Sequence, residues 1–163
     1  MQIIKDPVAT HRACEEWLQT VDALIAVIDR YNPAEPMTRY GLDFKKAWNA
    51  QVKAHAAYTG TFVTSAPEMI AAAMEIMAQS DADIARAQKM NNAELAVFSE
   101  DVIKEYQQRI PSTMIAINMM DFNKQLLTAA GETKLAALIG DRPKQLAQAM
   151  GRFGNKLMTR AMN

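Results

Sequence analysis

The sequence predicts an all-α protein, an antiparallel helical bundle of four main helices plus one or two short ones. Three observations carry that reading. Helix formers dominate, with 28 alanines and 12 methionines among 163 residues, both near the top of the helix-propensity scale. Only six glycines and six prolines punctuate the chain. Apolar residues recur at three- and four-residue spacing, which is one face of a helix, while valine and threonine are scattered rather than alternating as a strand would have them.

The first helix is expected over residues 6–31. Asp6 is a good N-cap and Pro7 fills the first helical position, where a missing N–H costs nothing. Cys14, Trp17, Leu18, Val21, Leu24, Ile25 and Ile28 share one face. Pro33 and Pro36 then mark the clearest interhelical loop. A second helix is expected over 38–64, with Phe44, Trp48, Gln51, His55, Tyr58 and Phe62 in alternating four- and three-residue steps, the seam of a bundle. Ala47, Ala50, Ala54 and Ala57 form an adjacent ridge of small residues that predicts a close helix contact, and Gly60 marks a bend or an early end.

Ser65-Ala66-Pro67-Glu68 is a capping box with a first-turn proline and opens the third helix. Its stripe of Met69, Ile70, Ala73, Met74 and Met77 meets Asp81, Gln88 and Asn91, then resumes at Leu95, Phe98, Val102 and Tyr106. One continuous helix over 66–109 is the preferred reading. Breaks near Ser80-Asp81 or Asn91-Asn92 are the alternatives, the second supported by Asn91 and Glu94 as a cap. A helix of that length would protrude from a compact monomer. Pro111 is expected to stop or kink it. Ser112 caps a helix over 113–130 with Ile115, Met119, Phe122, Leu126 and Ala129 inward, and Gly131 ends it. A short helix over 132–139 ends at Gly140, and Asp141 caps the last helix, with Pro143 in its first turn.

The chain reads as a single domain, 1–163, without a low-complexity linker. Half its residues are hydrophobic and 22% are charged, the balance of a folded domain. A chain of this size can bury roughly 70% of its unfolded surface, so neither a disulfide nor a structural metal is required. Cys14 is the one cysteine, which favours a reducing compartment. The N-terminus lacks a basic region followed by a long apolar run, and no apolar stretch nears the roughly 20 residues of a membrane span. A cytoplasmic location is expected. The formal net charge is zero, which argues against nucleic acid as a partner of the whole surface. The charge is nevertheless uneven. Residues 141–163 hold five basic residues and one acid, a net +4, which leaves −4 for residues 1–140.

Catalytic motifs are not apparent. Glu-x-x-His, the ligand pair of di-iron bundles, is missing, because Val8 and Val52 precede His11 and His55 by three residues. The methionine pairs come without the histidine or cysteine that soft-metal sites add. Cys14 lies on an apolar face where a thiol is inert. Neither a cofactor nor a metal is expected, and an enzyme is the less favoured reading.

The leading expectation is a non-catalytic interaction module that forms homo-oligomers or binds another protein, with Met69, Met74, Met77, Phe98 and Val102 as its surface. The second is a small-molecule or lipid-binding bundle whose pocket is lined by Trp48, Gln51, His55, Tyr58, Gln88 and Asn91, polar residues that interrupt an apolar seam. The third is an enzyme using His55 with Tyr58 or a carboxylate brought near by folding, and the fourth is docking on an anionic surface through Arg152, Lys156 and Arg160, which repeat every fourth residue. The competing reading of that stripe packs Leu146, Met150, Phe153 and Leu157 on the bundle and turns the cations toward its own acids.

Overall fold

Asp6 starts the first helix where the sequence places it, whereas the capping box expected at Ser65 does not form: Ala66 is the N-cap of the third helix without a side-chain hydrogen bond, and the Ser65 hydroxyl donates to the Gly60 carbonyl (3.1 Å). The Asp6 carboxylate accepts hydrogen bonds from the amides of Val8 (3.0 Å) and Ala9 (3.3 Å), and Pro7 opens helix α1, Pro7–Arg30. Five more helices follow among the residues that this computed structural model describes, 2–162: α2 (Tyr40–Thr59), α3 (Pro67–Ala87), α4 (Asn92–Ala129), α5 (Thr133–Ile139) and α6 (Arg142–Met162). The protein is all-α. The one extended pairing among these residues, Ile4 with Phe62, ties the N-terminal segment to the α2–α3 connection. None of the helices is long and apolar enough to cross a membrane.

Two predicted boundaries are overturned. The continuous helix over 66–109 does not form, because the chain turns at 88–91 and the side chain of Asn91 caps α4 at the Glu94 amide (2.9 Å). In an unbroken helix Ala87 and Leu95 would lie about 12 Å apart along the axis. The turn instead brings Leu95 against Leu42, Ile84 and Ala87 in a small second core. Pro111, in turn, does not stop a helix. It lies inside α4, which runs for 38 residues. The missing N–H deprives only the Gln107 carbonyl of its helical donor. Gln107 and Pro111 are both exposed, and the core contacts of Tyr106, Ile110 and Ile117 hold the helix in phase on either side.

Facing residues give the helix directions. Trp17 stacks on Tyr58 and the Tyr40 hydroxyl donates to the Val27 carbonyl (2.7 Å), so α1 and α2 are antiparallel. Lys45 with Asp83, and Gly60 beside Ile70, make α2 and α3 antiparallel as well. Arg160 with Glu100, and Gly154 beside Ile110, do the same for α6 and α4. Gly41 against Ser99 and Phe44 against Tyr106 run α2 and α4 parallel, as do Asp22–Arg142 and Asp29–Arg152 for α1 and α6. The core therefore lies between α1, α2, α4 and α6, and α3 is an outer helix on α2.

The closest backbone approach lies outside the alanine ridge, of which Ala47 and Ala54 pack against the core. A Cβ on Gly41 would sit 2.4 Å from the Ser99 Cα, so only glycine admits α4 there. Ala50 and Ala57 are exposed. α3 docks largely through polar groups. Asn49 donates to Ser80 (2.9 Å) and Asp81 (3.1 Å), and Lys53 pairs with Asp81 (2.7 Å).

Candidate binding groove

Two aromatic clusters fill the interior. Phe153 stacks on Phe44, which meets Trp48 and Tyr106, toward one end. Trp17 stacks on Tyr58 (ring centroids 5.1 Å apart, planes 5° apart) and touches His55 toward the other. Between these clusters α2 and α4 part and leave a groove of about 500 Å³, within the size range of small-molecule sites. Its floor is Trp48, Gln51, Val52 and His55 from α2. Its far wall is Thr113, Ala116, Ile117, Met119 and Met120 from α4, with Leu146 from α6 at the base and Arg109 and Ser112 along the rim.

The polar groups in this groove have defined states. Burial pushes the pKa of His55 down to about 4, so its ring is neutral at physiological pH. Gln51 is buried, at 4% exposure, and its Nε2 has no hydrogen-bond partner among the described residues. Behind the floor, Trp17 Nε1 and the Tyr58 hydroxyl are buried donors in the same condition. Arg109 is half-exposed and already engaged, by Glu105 (2.5 Å) and by the face of the Tyr106 ring (5.7 Å). Burial pushes the Cys14 thiol up to about 12, which leaves it protonated and unreactive. Among the described residues no three His, Cys, Asp or Glu side chains gather as metal ligands.

The residues singled out as a pocket thus divide. Trp48, Gln51 and His55 line the groove, and Tyr58 lies directly behind it. Gln88 and Asn91 do not belong. They are exposed in the α3–α4 connection, where Gln88 ends one helix and Asn91 caps the next. Their polarity marks a helix break rather than a ligand.

The proposed interaction surface also divides. Met69 and Met74 are exposed on α3 and Met77 is half-buried. Val102 is core, at 3% exposure, and Phe98 packs against both cores with the Lys45 ammonium over its ring, so neither is available as a surface. A second apolar surface lies on the face of α4 that the spacing assigns to the core. Ile115, Met119, Phe122 and Leu126 are 65, 53, 48 and 41% exposed. The inward face of this half of α4 is Thr113, Ile117 and Leu127, with Met120 packed against the core. The stripe was recognisable from its spacing, but its direction was not, because this helix is apolar on two opposite faces.

The basic stripe of α6 is turned onto the bundle. Arg152 makes a two-pronged contact with Asp29, both arms 3.1 Å. Lys156 donates to the carbonyls of Asp29 (3.2 Å) and Tyr31 (3.0 Å), closing the C-terminus of α1, and Arg160 pairs with Glu100. Leu146, Met150, Phe153 and Leu157 are buried beneath. No protein-family model, curated protein or solved structure matches this chain.

Proposed function

We propose that the protein is a non-catalytic helical-bundle module of the cytoplasm that self-associates through the outward apolar face of α4. One observation carries this reading: four large apolar side chains, Ile115, Met119, Phe122 and Leu126, stand exposed in four-three-four spacing. That spacing is the seam of a coiled coil, and contiguous apolar patches on a folded protein mark contact surfaces. A second copy of the chain is the occupant the flanks favour. Ser112, Asn118, Asn123 and Gln125 border the stripe. When a surface meets its own copy, charged borders of one sign repel, whereas neutral amides and hydroxyls pair. In an antiparallel pairing centred between Met119 and Phe122, like edges of the stripe meet, and Asn118 of one copy comes level with Gln125 of the other.

Light scattering on the full chain during size-exclusion chromatography tests the proposal. The expected mass is twice the 18.1 kDa of one chain across the micromolar range. The double substitution Phe122→Glu with Leu126→Glu should give the monomer mass with an unchanged circular-dichroism spectrum. A wild-type chain that stays monomeric throughout that range would refute it.

A further inference from the structure

We infer that the groove between α2 and α4 is a binding site for a neutral, elongated, largely apolar molecule that carries a carbonyl-type hydrogen-bond acceptor. The groove shares Met119 with the self-association stripe, but Ile115, Phe122 and Leu126 lie outside it, so the inference does not rest on self-association.

Shape and walls set the apolar part. The groove is about 500 Å³, and its α4 wall is mostly Ile117, Met119 and Met120. Methionine side chains are unbranched and adapt to irregular apolar shapes, which suits a flexible chain better than a rigid planar ring. The acceptor follows from Gln51. A glutamine amide placed in an apolar seam, 4% exposed, with its Nε2 unpartnered, is a costly arrangement, and native proteins seldom keep one without a reason. A ligand carbonyl lying along the groove supplies the missing acceptor. Gln51 can turn about its last side-chain torsion to present the amide N–H.

Neutrality follows from the charges. Arg109 is the one charged residue of the lining, it stands at the rim, and Glu105 and the Tyr106 ring already engage it. His55 on the floor is uncharged at physiological pH. An anion drawn into the groove would lose its hydration and meet only Arg109, a rim cation already paired with Glu105.

Trp48 lines the groove, so tryptophan emission reports occupancy. The purified full-length protein is titrated with nonan-2-one and, separately, with nonanoate. The ketone should give a saturable change, and nonanoate should bind at least about tenfold more weakly. Gln51→Leu should weaken ketone binding about three- to tenfold, the worth of one hydrogen bond. Ala116→Trp, at an exposed position on the groove wall, should abolish binding while leaving the helical circular-dichroism spectrum intact. Binding should persist in the Phe122→Glu/Leu126→Glu chain, which separates this site from the self-association face. The inference is overturned if nonan-2-one gives no saturable response below its solubility limit, if nonanoate binds as tightly, or if Gln51→Leu binds the ketone as wild type does.

Discussion

Helix α4 is two helices in its chemistry and one in its backbone. Before Pro111, Leu95, Ser99, Val102, Ile103 and Tyr106 are buried, and Asp101, Lys104, Glu105 and Gln108 face outward. After Pro111 the inward set of Thr113, Ile117 and Leu127 is matched by an outward set of Ile115, Met119, Phe122 and Leu126. The first half meets the requirement of a surface helix, one apolar stripe turned inward, with Leu95 in the small second core and Val102, Ile103 and Tyr106 in the main one. The second half has an apolar stripe left over. Burial, not periodicity, therefore separates what the fold needs from what a partner needs, and the same spacing serves both.

The contrast predicts opposite responses to the same kind of truncation. Ile103→Ala removes a core side chain at 3% exposure, and urea unfolding should show a loss of about 2–5 kcal/mol. Ile115→Ala removes a side chain that is 65% exposed, and at concentrations low enough to keep the chain monomeric it should change stability by less than about 0.5 kcal/mol. At concentrations where the chain pairs, the second substitution should shift the midpoint as well. Equal losses from the two substitutions in the monomer would mean that the outward stripe is already covered within one chain.

Acid should act on the groove side of the second half. The folded state holds His55 near a pKa of about 4, against 6.5 for the ordinary side chain. Between those values the unfolded chain binds more protons, so stability falls as the pH falls. The contribution is fully present above about pH 6.5 and drains away toward pH 4, on the order of 3 kcal/mol in total. Urea unfolding at pH 7 and pH 4.5 measures it. His55→Phe, which keeps a ring against Trp17, should flatten that dependence. A variant that keeps the full acid dependence would assign the effect to other groups.

Where the sequence was readable, a short-range signal decided the matter. Asp6-Pro7, Asn91 with Glu94, and Gly131 and Gly140, both at positive φ, set helix ends by local chemistry. Gly60 does close α2 early. Apart from the Ser65 capping box, whose serine instead bonds the end of α2, the errors involve tertiary choice. The stripe interrupted at Gln88 and Asn91 resumes near the same phase, so a turn that buries Ala87 on Leu95 looked like a continuing helix. Gly41 carries no local sign that Ser99 will rest on it. Three of the six pocket residues line the groove and a fourth backs it, because the α2 seam was correctly phased, while the α4 wall of Thr113, Met119 and Met120 was missed. A helix with two apolar faces offers no means, in sequence alone, of telling which one turns inward.

Pro111 joins the two halves, and its replacement is the mildest test of their independence. Alanine there restores the N–H that the Gln107 carbonyl lacks and removes the clash of the proline ring with the preceding turn. Against that gain, alanine loosens the unfolded chain, which proline restrains. The helix term is the larger, so Pro111→Ala should raise stability by about 1–2 kcal/mol in thermal or urea unfolding. The mass in light scattering should not change, because the outward stripe begins one turn later and needs only its own spacing. A variant that is more stable yet no longer pairs would show that the stripe stands away from the bundle only through the proline. The two halves would then be a single device, set by the one residue between them.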